Sequence, residues 1–98
     1  MSNAPISLGS LASALGSVVR LKVLRELAGG EALITVELAE RMGIKAGTLG
    51  RHMKVLLRFG LVSQNRAGQY RIPPERLTSD EERILDYGSC LLRLKQNP

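Results

Sequence analysis

Apolar residues recur at helical spacing through the first sixty positions, and the pattern predicts four helices in succession. Leu8, Leu11, Ala12 and Leu15 outline a short first helix diluted by Ser and Gly. Ser17 is placed to cap a stronger second helix, whose buried stripe is Leu21, Leu24, Leu27 and Ala28, and Gly29-Gly30 stops it. Thr35 is the expected cap of a third helix, with Glu37 suited to the positive end of its dipole. Leu38, Ala39 and Met42 give that helix a narrow apolar face. Gly43 can then take the left-handed backbone that ends it, and Ile44 buries under the turn. A fourth helix runs from Ala46 to about Phe59. Taking Leu49 as the reference direction at about 100° per residue, Met53 and Leu56 fall within about 40° of it. Gly47, Arg51, Lys54 and Arg58 fall on the opposite side, and Gly60 ends the helix.

Beyond Gly60 the periodicity changes. Leu61 to Gln64 and Gln69 to Ile72 predict two short strands, joined by Asn65-Arg66-Ala67-Gly68 and closed by Pro73-Pro74. Ser79-Asp80-Glu81-Glu82 has capping-box spacing, and Ile84, Leu85, Gly88, Leu91 and Leu92 follow as an apolar stripe flanked by Tyr87 and Leu94. A final helix is therefore predicted. The expected architecture is mainly α with a short β-hairpin, with about five helices. Residues 1–7 read as a flexible tail, 8–76 as a winged helix-turn-helix domain, and 77–98 as a C-terminal helix packed on it.

Composition narrows the class. The 98 residues make room for one domain, and 44% hydrophobic with 23% charged residues excludes a disordered or fibrous chain. No apolar stretch approaches the roughly 18 residues that span a bilayer. The start lacks a charged segment followed by an apolar run, so no signal peptide and no membrane partner are expected. A lone Cys90 cannot form an internal disulfide, and no Cys or His cluster has metal spacing, which fits a reducing cytoplasm. With one His and no Gly-rich phosphate loop after a strand, no catalytic residues and no cofactor are expected. Phe59, Tyr70 and Tyr87 are too few aromatics for a platform that stacks single-stranded bases.

Charge is what points to a partner. Of a net +5, the stretch from Ile44 to Arg76 carries +6: Lys45, Arg51, Lys54, Arg58, Arg66, Arg71 and Arg76 against Glu75 alone. The remainder is slightly acidic, so the basic excess sits in one third of the chain and suggests a polyanion. Two helices around a Gly-containing turn, the second basic outwards, have the form of a helix-turn-helix. A duplex major groove about 12 Å wide admits one such helix. Thr48 and Arg51 are placed to reach base edges, and Lys54 and Arg58 to reach phosphates. Arg66 and Arg71 would lie along the neighbouring backbone. Lys45, Ala46, Gly47, Gly50 and His52 complete the candidate DNA-facing set. Each has a plainer reading: exposed cations are common on any surface, His52 lies about 60° from the core direction and suits packing, and Arg66 and Arg71 suit an edge hairpin.

Several segments resemble the arsenic-repressor (ArsR-type) family of bacterial winged-helix regulators. Arg20-Leu21-Lys22-Val23-Leu24 resembles that family's second-helix segment, and Glu37-Leu38-Ala39-Glu40 its entry to the helix-turn-helix. Thr48-Leu49-Gly50-Arg51-His52-Met53-Lys54-Val55-Leu56 is similar to its recognition-helix run, and Gly60-Leu61-Val62 to its lead into the wing. The resemblance covers Leu15 to Ile72. It implies a sequence-specific repressor of transcription that binds double-stranded DNA as a homodimer paired through the first and last helices. Arg20 matches a family position, where a structural ion pair is expected. The chain departs from the family at Ile34, Thr35 and Val36, where many relatives carry Cys-x-Cys, and its last segment has no His. Metal sensing through either usual site is therefore not expected. Gly47 and Gly50 stand where Ser is usual, weakening the helix and offering no side chain to a base. They keep a second reading open, a winged-helix module whose basic face docks an acidic protein. Leu57 and Phe59 suit core or dimer packing or a ligand pocket, and Cys90 an inert thiol or a redox switch, so a small-molecule or redox effector stays open.

Overall fold

The computed structural model describes residues 4–95, in which four helices precede two small antiparallel sheets. α1 (Leu8–Leu15) and α2 (Val18–Leu27) begin after Ser7 and Ser17, whose hydroxyls accept from the N–H groups of Ser10 at 3.1 Å and Arg20 at 3.4 Å. Each hydroxyl satisfies an amide that has no partner within its helix. α3 (Thr35–Met42) starts after Ile34, so Thr35 is its first helical residue and not its cap. Glu37 closes this end instead, since its carboxylate accepts from the Ile34 N–H at 3.0 Å, while no side chain caps from the other direction. α4 (Ala46–Arg58) follows Lys45, which likewise makes no capping bond.

The turn between α3 and α4 is set by Gly43, at φ 69°, a left-handed conformation that a Cβ disfavours. It lets the Ile44 N–H donate back to the Ala39 carbonyl at 3.1 Å. Leu24, Leu27, Leu38, Leu49, Met53 and Leu56 are wholly buried where α2, α3 and α4 meet. Burying each such side chain stabilises by about 1.5–3 kcal/mol, so this face fixes how α4 sits and which side it leaves outside.

The hairpin is shorter than the predicted runs. β1 (Ser63–Gln64) pairs with β2 (Tyr70–Arg71) in the register Ser63 to Arg71 and Gln64 to Tyr70. The flanking Leu61, Val62 and Ile72 are buried. Leu33, just before α3, forms a bridge with Tyr70 through two backbone bonds of 2.9 and 2.7 Å. The hairpin is thus tied to the start of α3.

The predicted final helix is not present. After a 3-10 turn at Pro74–Arg76, the chain forms β3 (Leu77–Ser79), β4 (Ile84–Asp86) and β5 (Leu91–Arg93), an antiparallel meander in that spatial order. The described helices therefore number four, not about five, and no helix covers the described part of 77–98. Two backbone positions explain the difference. Gly88 has φ 90° and Arg83 φ 53°, so no right-handed helix passes through either. Asp86 Oδ1 accepts from the Gly88 N–H at 2.8 Å, which folds 86–89 into a turn. Leu85 and Tyr87 are buried while Asp86 is exposed, a period of two and not of 3.6. The Ser79 hydroxyl does accept from the Glu82 N–H at 3.0 Å, but the bond closes a turn instead of capping a helix.

Residues 4–7 are not a loose tail either; residues 1–3 of that segment lie outside the described residues. Ile6 N–H donates to the Tyr87 carbonyl at 2.9 Å, beside a parallel bridge between Ile6 and Gly88. The Ile6 carbonyl also accepts from the Ser89 hydroxyl. Tyr87 links this sheet to the helical part, since its buried hydroxyl donates to the Leu61 carbonyl at 2.8 Å. Burial pushes the phenol pKa up, with nearby Arg76 opposing the shift.

Candidate nucleic-acid interface

The outward side of α4 is as the spacing predicts. Leu49, Met53 and Leu56 are buried, and Gly47, Thr48, Arg51, Lys54 and Arg58 are exposed. Gly47, Arg51, Lys54 and Arg58 fall within about 60° of one another around the axis. From Gly47 to Arg58 they span about 16 Å at 1.5 Å per residue. Ala46 and Gly50 are half-buried at the margin. A Cβ at Gly47 or Gly50 would meet nothing within 4 Å among the described residues, so none of them requires a glycine at either place.

His52 does not face outwards with this set. It is half-buried, and its Nδ1 accepts from Arg20 Nε at 3.2 Å. Arg20 Nη1 also donates to the carbonyls of Ser13 and Ala14 at 3.1 and 3.2 Å. The structural part expected of Arg20 is therefore played through hydrogen bonds, with no ion pair among the described residues. It braces α4 against α2 and the end of α1.

On the wing, Asn65 organises the tip. Its Oδ1 accepts from the N–H groups of Ala67 at 3.0 Å and Gln69 at 2.9 Å, and its Nδ2 donates to Gln69 Oε1 at 2.9 Å. Arg66 is thereby held exposed at the tip, and Arg71 is exposed on β2 opposite Ser63. The role of Asn65 was visible in the sequence only as a turn residue.

Lys45, Arg51, Lys54, Arg58, Arg66 and Arg71 are all exposed, and none makes an ion pair among the described residues. Arg76 leaves the basic set: it is 9% exposed and donates to the Ala4 carbonyl at 2.6 Å. The α3 side behaves differently. Arg41 is paired with Glu31 at 2.8 Å and lies 3.9 Å from Glu26. That pairing holds the Glu31 carboxyl below its usual range and raises Arg41. Unbalanced positive charge is thus left on α4 and the wing. Ile34 and Val36 are exposed apolar residues, and the described residues contain no group of three or more His, Cys, Asp or Glu able to hold a metal. No described helix is long and apolar enough to cross a membrane.

A packed helix, a three-residue turn, an exposed basic helix and a hairpin tied back to them define a winged helix-turn-helix. The chain belongs to the helix-turn-helix domain family, which matches residues 15–65, and this membership supports a DNA-binding regulator. No curated protein and no solved structure matches the chain.

Proposed function

We propose that the protein is a sequence-specific regulator of transcription that lays α4 in the major groove of double-stranded DNA and rests its wing on the adjacent backbone. The observation that carries this reading is the row of exposed cations, without ion pairs among the described residues, on the outward side of a helix whose other side is locked in the core. Arg51 and Thr48 are the base-reading candidates. Lys45, Lys54, Arg58, Arg66 and Arg71 neutralise phosphates, while Ala46, Gly47 and Gly50 let the backbone come close. His52 acts by holding α4 in place. Repression, by occupying an operator, is the mode the ArsR-type resemblance favours.

We place the protein in the cytoplasm and give it no catalytic role. Two copies on a palindromic site would present two α4 helices one helical turn apart, about 34 Å. Exposed Leu8 on α1 and Leu91 on β5 support an apolar contact between copies, in place of the pairing of first and last helices.

Selection of bound fragments from random duplex DNA at about 150 mM salt tests the reading. It predicts recovery of a repeated half-site, and Arg51→Ala should lose about 1–3 kcal/mol on that site with relaxed preference at one base pair. Recovery of no common sequence would contradict it.

A further inference from the structure

The meander leaves a groove between α2 and the end of β5 that the DNA-binding reading does not use. Its volume is about 350 Å³, within the range of about 300–1,000 Å³ usual for small-molecule sites. Val18, Leu21 and Leu94 give it an apolar floor, and Lys22, Arg25, Arg93 and Lys95 stand round it. Among the described residues no carboxylate lines it. Lys95 is held by Glu82 at 3.3 Å, but the side chains of Lys22, Arg25 and Arg93 make no ion pair or hydrogen bond among the described residues. Val18 is 68% exposed, a β-branched apolar side chain left to water beside this ring of positive charge.

The two walls are braced by one residue. The Arg83 guanidinium donates to the Arg25 carbonyl on α2, and the Leu94 N–H donates to the Arg83 carbonyl at 2.9 Å. Arg83 holds this position with a left-handed backbone, φ 53°. The groove is therefore built before any ligand arrives, which lowers the ordering cost of binding. Guanidinium groups on opposite walls, Arg25 and Arg93, offer planar forks that match a carboxylate.

We propose that this groove binds an amphipathic organic carboxylate, with its apolar body on Val18, Leu21 and Leu94 and its head between Arg25 and Arg93, and that occupancy is felt at α4 through α2. The coupling has a physical route, because α2 carries the groove's wall and also Arg20, the residue that holds His52 of α4. Only the coupling rests on the proposed function; the ligand site stands on its own.

Calorimetric titration of decanoate and of neutral decanamide into the full chain, without DNA, tests the site. One saturable site for decanoate and none for decanamide are expected. Arg25→Gln and Arg93→Gln should each weaken decanoate about tenfold or more, and Arg51→Gln should leave it unchanged. Arg93 is exposed, so its variant tests the site without threatening the fold. Absent binding, equal binding of decanamide, or undiminished affinity in the Arg93→Gln chain would overturn the proposal. So would a dimer that buries the groove and is dissociated by Val18→Glu. For the coupling, decanoate should shift duplex affinity by about threefold or more, and an unchanged affinity would overturn it. A chain that binds decanoate but no duplex contradicts the proposed function, not the site.

Discussion

Arg20 Nε donates to His52 Nδ1 across 3.2 Å, joining α2 to the exposed basic helix α4. Because the same guanidinium reaches the carbonyls of Ser13 and Ala14, one half-buried side chain ties three helices together.

Removing either partner should therefore destabilise the chain. Arg20→Ala is expected to cost about 1–3 kcal/mol, since it loses the guanidinium's hydrogen bonds to His52 and to the part-buried Ala14 carbonyl. His52→Ala should cost less. In urea unfolding the double variant should fall short of additivity by about 0.5 kcal/mol or more. Strict additivity would mean that the two residues act separately.

Tyr87→Phe should cost about 1–3 kcal/mol, because the buried Leu61 carbonyl loses its hydroxyl donor. The wild-type chain should also show an alkaline limb that the variant lacks. Burial raises the folded phenol above its unfolded value, so the stability it contributes is complete below about pH 10. Above that pH the unfolded chain releases its proton while the native chain keeps it. Stability then falls by up to about 1.4 kcal/mol per pH unit. Urea midpoints from pH 8 to 11 would check this.

Gly47→Ala and Gly50→Ala should each stabilise by about 0.5–1 kcal/mol, since a Cβ meets nothing at either site and a helix interior favours Ala. A loss of duplex affinity in these more stable variants would show that the bare backbone itself approaches DNA.

Gly88→Ala should have the opposite effect. A Cβ there falls 2.5 Å from Pro5 Cα, on a backbone with φ 90°. The N-terminal segment must move, breaking the Ile6 bridge, and hydrogen exchange at the Ile6 amide should speed up. Unchanged exchange would contradict the placement of residues 4–7.

How far the sequence could be read depended on whether one local rule had a rival. For α4, the spacing of Leu49, Met53 and Leu56 admitted only one face, and the outer cations followed from it. The cap at Ser17 and the turn at Gly43 were equally legible, because each needs only a neighbour's amide. Past Thr78 the rules competed. Ser79 to Glu82 suits both a helix start and a tight turn, and Leu85, Tyr87 and Leu91, Leu92 fit a stripe as well as alternating strands. Gly88, counted within that stripe, was the residue that decides for strands. Arg20 with His52, Arg76 with Ala4 and Arg83 with Arg25 were hidden for another reason. Partners 32, 72 and 58 positions apart leave no periodic trace.

If the outer side of α4 and the wing form one duplex-binding surface, binding must depend steeply on salt. If two copies neutralise about six phosphates, affinity for a labelled duplex should fall about a thousandfold between 50 and 200 mM salt. Replacing Lys54 and Arg58 with Gln should make that dependence shallower. A flat salt response, or one indifferent to these two residues, would mean that this surface does not hold a duplex.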